Sequence, residues 1–202
     1  MSSDSRLREL HHLVSNHMQL ISSLLRMQFH LYKDKEIHDG IELIQRRIKS
    51  IAILHEKLSC SDDLNRIDLK EYLQELVSSI CKSYSAGSGR ITVKVEIEKL
   101  FLEIDTAVAC GLIVNETVAH FFQYAFPGDR KGEIAVNVRC IGKKEVELTL
   151  NNDGIDVFDS PDSGGTGFLE SDFLSTMVEK QLKGTLSVNK TGGQKLIIIF
   201  NI

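Results

Sequence analysis

From residue 4 to residue 32, apolar residues recur at helical spacing. At about 100° per residue, Leu10, Leu13, Val14, Leu20, Ile21, Leu24, Leu25, Met27 and Leu31 fall within an arc of roughly 160°. His17 lies near the middle of that arc and His11 near its boundary. His12 lies on the opposite face, in a stripe with Arg8, Ser15, Asn16, Gln19 and Arg26. The pattern therefore places His17 in an apolar seam and presents His12 to solvent. After a polar break at 32–36, Ile37, Ile41, Ile44, Ile48, Ile51, His55 and Leu58 alternate spacings of four and three. That is a heptad seam suited to a bundle. Two such helices joined by a short loop form an antiparallel hairpin. A lone hairpin cannot bury two wide apolar stripes, so a homodimeric four-helix bundle is expected.

Beyond the polar linker at 60–66 the periods mix. Residues 67–84 predict an amphipathic helix with Leu69, Tyr72, Leu73, Leu76, Val77 and Ile80 on one face. Residues 90–104 alternate with period two and predict a strand. Residues 105–126 predict a long helix, apolar on most sides and so largely buried. "EIAVNVRCI" and "EVELTLNN" read as a hairpin through "GKK". A Gly/Ser/Asp loop covers 153–167, a helix follows at 168–182, and "GTLSVNK" and "QKLIIIFNI" read as two closing strands. The fold class is α+β. A helical hairpin over 1–62 precedes an α/β layer over 63–202.

Bulk properties narrow the partners. The 202 residues carry a net charge of −4, with a pI near 6.0. That leaves no basic footprint for nucleic acid. No apolar run approaches the length of about 18 residues needed to span a bilayer, and the N-terminus lacks a leader pattern. A cytoplasmic chain with no membrane contact is expected. Cys60, Cys81, Cys110 and Cys140 are scattered without metal-ligand spacing. They read as reduced, buried thiols, with no resident metal.

Two clusters carry candidate chemistry. Neutral imidazole is nucleophilic near pH 7, so an exposed His12 can accept a phosphoryl group, with Asn16 one turn on to orient the ring. From the helix alone, an ordinary surface histidine is the simpler reading. Asn115, Glu116 and His120 stand in an otherwise apolar helix, where buried polar groups need partners or a task. "NNDGID" and "SGGTG" can bring backbone close to a ligand, although each also reads as a plain loop.

The segment "ELHHLVSNHMQLISSLLRMQ" resembles the start of sensor histidine kinases of the HWE and related type-2 class, whose pattern is E-x-x-H-R-V-K-N-x-L-Q-x-I-x-S-L-L. "RRIKSIAILHEKL", with His55 and Glu56, resembles the second helix of the same dimerisation and phosphotransfer domain. "IDLKEYLQELVSSI", "LIVNETVAHFFQYAFP" and "MVEKQLKGTLSV" resemble successive blocks of its ATP-binding domain. The resemblance implies a dimeric four-helix bundle followed by a Bergerat-type α/β sandwich. It implies that His12 is the phospho-acceptor and that Asn16 is the class's following Asn. The implied partners are response-regulator receiver domains, docking beside His12 over Arg8, Leu13, Val14, Ser15 and Gln19.

The same resemblance marks departures. Leu13 stands where the class has Arg. The class pattern N-E-x-x-x-N-A is met by Asn115 and Glu116, but its second Asn, a Mg²⁺ ligand, is here His120, and Phe121 follows. The Asp that binds the adenine amino group is here Asn152. Gly154 is kept, and a later glycine is Asp156. Gly165 and Gly167 fall in the phosphate loop, and the stretch after them is longer than the class pattern. Mg²⁺ prefers hard oxygen ligands, and Asp156 would repel a triphosphate. The expectation is a degenerate nucleotide site with no cofactor. The chain then acts as a histidine phosphotransferase, passing a phosphoryl group between receiver aspartates through His12. ATP and Mg²⁺ enter only under the alternative, an active autokinase with an unorthodox ATP site. A second alternative is a non-catalytic scaffold that holds a receiver.

Overall fold

The computed structural model describes residues 3–29, 35–61, 63–84, 89–155, 172–190 and 193–202. Helices α1 (Ser3–Phe29) and α2 (Lys35–Cys60) pack side by side as the expected hairpin. Strand β1 (Arg66–Asp68) leads directly into α3 (Leu69–Tyr84), where the Asp68 carboxylate accepts the N–H groups of Lys70 and Glu71. That cap satisfies two of the orphan donors of the first turn and starts the helix. All six apolar residues assigned to the inner face of α3 are buried.

The alternating stretch at 90–104 is not one strand. It divides into β2 (Ile91–Ile97) and β3 (Phe101–Glu103). β3 leaves the main sheet to pair antiparallel with β1, and the Leu69 N–H donates to the Leu100 carbonyl at the bend. Helix α4 (Ile104–His120) follows and ends in a π-helical turn at Phe121–Ala125. β4 (Gly132–Cys140) and β5 (Glu145–Asn152) form the expected hairpin. After a short helix α5 (Asp172–Ser175) and a π-helical turn at Thr176–Gln181 come β6 (Thr185–Asn189) and β7 (Gln194–Asn201). The five-stranded sheet runs β2-β4-β5-β7-β6, with only β2 and β4 parallel. Helices α3 and α4 cover one face, so the fold is the expected α+β sandwich behind a hairpin.

The core crosses from hairpin to sandwich. Ile53, Leu54 and Leu58 of α2 join one buried cluster with α3, α4 and the inner sheet residues Val136, Leu148 and Ile198. Full burial of one such side chain stabilises by about 1.5–3 kcal/mol. Tyr72 of α3 ties the layers further. Its hydroxyl lies 2.8 Å from Ser50 Oγ on α2, and a Cβ at Gly111 of α4 would collide with it. Burial pushes the Tyr72 hydroxyl pKa beyond the usual tyrosine range.

The opposite side of the hairpin is uncovered. Leu10, Leu13, Leu20, Leu24 and Met27 of α1 are exposed, Met27 at 69%, together with Ile37 and Ile44 of α2. The apolar arc of α1 thus points away from α2, which instead receives His11 and Ser15. Of the four cysteines, Cys110 is buried, its thiol pushed up to about 12 by desolvation. Cys60 and Cys140 are exposed, against the expectation of buried thiols, because each stands at the open end of its element. Among the described residues no helix is long and apolar enough to cross a membrane.

Candidate functional site

Two poles hold the polar residues singled out above. The first lies at the N-terminal half of α1. His12 is exposed there, and so is Asn16 on the same face. Among the described residues no hydrogen bond joins the two. His11, one position away, is 7% exposed and turned into the hairpin. Its Nε2 lies 3.2 Å from the Leu64 carbonyl, so Nε2–H donates. Its Nδ1 lies 3.0 Å from His55 Nδ1, so one ring donates to the other. Burial first, and the neighbouring His11 second, lower the His55 pKa from its ordinary value. This pair fixes how α1 is rotated against α2 and leaves His12 outward.

The residues expected to meet a receiver divide. Leu13 and Gln19 are exposed and Val14 is half-buried. Arg8 extends a guanidinium N–H to the Ser59 carbonyl at 3.2 Å. Ser15 is a correction. It is buried, and its hydroxyl donates to the Ala52 carbonyl at 3.3 Å inside the hairpin, beyond a partner's reach. The 100° wheel places it beside His12, but α2 covers that side of the helix one turn later. His17 stands on the surface within the exposed apolar arc.

The second pole joins α4 to the end of β5. Asn115, Glu116 and His120 are all buried. The Glu116 carboxylate is 4% exposed and receives Arg47 Nε–H from α2 at 2.7 Å. The same guanidinium lies 3.9 Å from the centre of the Phe173 ring. Desolvation raises the Glu116 pKa, opposed by Arg47, Arg46 and the Asn115 amide. The His120 ring lies 4.8 Å from that of Tyr124. Asn152 is buried at the end of β5, and its Oδ1 accepts the Gly154 N–H at 2.8 Å. Gly154 lies flat against the π-helical turn, where a Cβ would strike the Ala125 carbonyl, and the Ile155 N–H donates to that same carbonyl at 2.9 Å. Asp156, Gly165 and Gly167 lie outside the described residues.

This pole departs from the class pattern at His120 and Asn152. Among the described residues, the carboxylate of Glu116 and the side-chain carbonyl of Asn152 already have internal partners. At the position matched to a metal ligand, His120 offers nitrogen where Mg²⁺ takes oxygen.

The sequence reading passed over Arg47 and Phe173. One signal for Arg47 was present. It stands seven and eleven residues before Leu54 and Leu58, on the same helical face, so a cation leads the buried stripe. Phe173 gave no such signal.

Comparisons with known proteins bear on the hairpin segment and on the fold. Residues 9–84 match the histidine kinase family model HisKA_2. The chain is 24% identical over 200 residues to Blue-light-activated histidine kinase 2 of Erythrobacter litoralis, covering 97% of this chain and 56% of that protein. It is 24% identical over 189 residues to Sensor histidine kinase PdtaS of Mycobacterium tuberculosis, covering 93% of this chain and 37% of that one. The chain therefore spans about half of the first relative's length, and less of the second. Among solved structures, the histidine kinase domain of the Erythrobacter litoralis EL346 blue-light activated histidine kinase superposes with a TM-score of 0.69. It covers 98% of this chain and 93% of that one at 21% identity, a likeness of fold. The resemblance read from the sequence holds. Residues 9–84 match the histidine kinase family model, and the chain as a whole resembles histidine kinase domains in fold, hairpin and sandwich included.

Proposed function

From this kinship with sensor histidine kinases, we propose that the chain is the phosphoryl-accepting core of a two-component signalling protein, with His12 as acceptor. The observation that carries the proposal is the presentation of His12. It is exposed on α1 at the register of the class's acceptor, while the His11–His55 pair turns its neighbour inward. A neutral ring nitrogen of His12 attacks phosphorus, and the bond to the donor oxygen breaks. Partners are response-regulator receivers, and a second copy of the chain covers the apolar arc of α1.

The relatives' names favour the autokinase alternative, in which ATP is the donor, over a phosphotransferase-only role. Asn115 and Glu116 are retained in keeping with it. A second reading is favoured by the engaged oxygens of Glu116 and Asn152 and by the nitrogen of His120. In that reading the donor is the aspartyl phosphate of a receiver, itself an energy-rich acyl phosphate, and no nucleotide is needed. Incubation with radiolabelled ATP, and separately with a labelled phospho-receiver, distinguishes them. Label from ATP alone supports the autokinase, and label only from the receiver supports the phosphotransferase. No label from either leaves the scaffold reading and contradicts the proposal.

A further inference from the structure

A small cavity lies where α2, α3 and α4 meet. Arg46 and Lys49 of α2, Ser79, Ser83 and Tyr84 of α3, and Asn115 of α4 line it. Its volume is about 20 Å³, and one water-sized occupant needs roughly 10–15 Å³. Three atoms of these lining residues, Arg46 Nε, Tyr84 Oη and Asn115 Nδ2, are buried without a hydrogen bond among the described residues. Leaving such groups unmatched is costly, most of all for a charged donor. Asn115 is 2% exposed. Its amide opposes the rise of the Glu116 pKa, but Nδ2 carries two N–H bonds, so one remains for the cavity. The Tyr84 ring is held in place by stacking on Phe122, with ring centres 5.2 Å apart.

We propose that this cavity binds a monatomic anion, a halide such as chloride, held by Arg46, Tyr84 and Asn115. Arg46 Nε and Asn115 Nδ2 can only donate, and the Tyr84 hydroxyl can donate as well, so the buried set calls for an acceptor. Burial raises the Tyr84 pKa to about 12, and the hydroxyl keeps its proton near neutral pH. Charge points the same way. Glu42 is paired with Arg46 at 2.9 Å and Glu116 with Arg47 at 2.7 Å. Lys49 has no acidic partner among the described residues, which leaves one positive charge over at the cavity wall. A water would satisfy the donors, but it brings two hydrogens that need acceptors and leaves that charge unmatched. Phosphate and sulfate, each with four oxygens, exceed the space. The site shares Asn115 with the second pole and takes no residue from β5. It stands on geometry and charge, independent of the phosphoryl reading. An ion that binds the folded chain and not the unfolded one adds stability by mass action.

The test uses the full chain and the quadrupolar NMR line width of chloride, which broadens when chloride exchanges with a site on a protein. The parent chain should broaden the line. Bromide should reverse the broadening, and phosphate at equal ionic strength should not. Tyr84→Phe removes only the hydroxyl and keeps the ring on Phe122, and it should weaken chloride binding several-fold. Arg46→Met removes the charged donor and should abolish the bromide-reversible broadening. Circular dichroism follows the folding of both variants, and Tyr84→Phe decides the matter if Arg46→Met does not fold. The absence of bromide-reversible broadening in the parent means that water alone fills the cavity, and it overturns the proposal. Equal broadening in the parent and in Tyr84→Phe also overturns it, because the chloride is then bound elsewhere. Reversal by phosphate overturns it too, since surface lysines that take either anion then account for the signal.

Discussion

The two poles use similar residue types in opposite ways. At the α1 pole a histidine stands in water, its helix rotation pinned by a hidden neighbour and its ring without a hydrogen bond among the described residues. At the α4–β5 pole an acid and two amides are buried, and the structure engages the oxygens of the acid and of Asn152 within itself. The contrast shows that a residue's identity at a matched position does not settle its role. Exposure leaves a reactive group available to a partner. Burial without a partner is costly, and here the oxygens of Glu116 and Asn152 have found partners in the scaffold, whereas the Asn152 Nδ2 has none among the described residues.

The largest expected effect tests whether the poles share one scaffold. Leu54 belongs to α2 yet is fully buried in the sandwich core. Leu54→Ala should cost about 3 kcal/mol, and helical and sheet signals should fall in one cooperative transition. Urea denaturation followed at separate far-ultraviolet bands checks this. Two separate transitions in the parent chain would break the shared-core description.

Next in size is the apolar arc. Leu20→Asp puts a charge where a second copy is proposed to pack, and light scattering should show monomers at concentrations where the parent is a dimer. The monomer's own fold should persist, since Leu20 is 57% exposed within one chain. A parent chain that is already a stable monomer would contradict the bundle.

Two smaller effects are set by pH. The His55 pKa is lowered by burial and by His11. The unfolded chain then binds more protons than the folded one as pH falls below 6.5, so the hairpin loses stability in that window. His55→Gln should flatten the loss in pH-dependent denaturation. Glu116 has the opposite sign. Its pKa is raised, mainly by desolvation, so the folded state binds the extra proton between the raised value and the ordinary one. Relative to Glu116→Gln, the parent chain should gain stability as pH falls through that window. Removing Arg47 should push the Glu116 pKa higher still.

Much of this was legible along the chain. The face of α3, the buried character of α4 and the β4–β5 hairpin followed from period alone. The break between β2 and β3 did not, because β3 is recruited by β1 from another part of the chain. The wheel of α1 identified an apolar arc but not its target. An arc of that width serves a second copy as well as α2, and the choice was made by His11 and Ser15, two polar residues that found partners inside. At the second pole the departures at His120 and Asn152 were visible. Their consequence was not, since Asn152 binds its own turn and Glu116 is matched with a cation 69 positions earlier.

The central claim is that His12, and neither His11 nor His17, carries the phosphoryl group. The direct measurement is label uptake from the donor that works on the parent chain, followed by peptide mapping under alkaline conditions. The acid-labile phosphate should map to His12, and His12→Gln should lose it entirely while keeping the parent's melting temperature, because the side chain is exposed. Wild-type labelling of His12→Gln, or phosphate recovered on His11 or His17, would contradict the account.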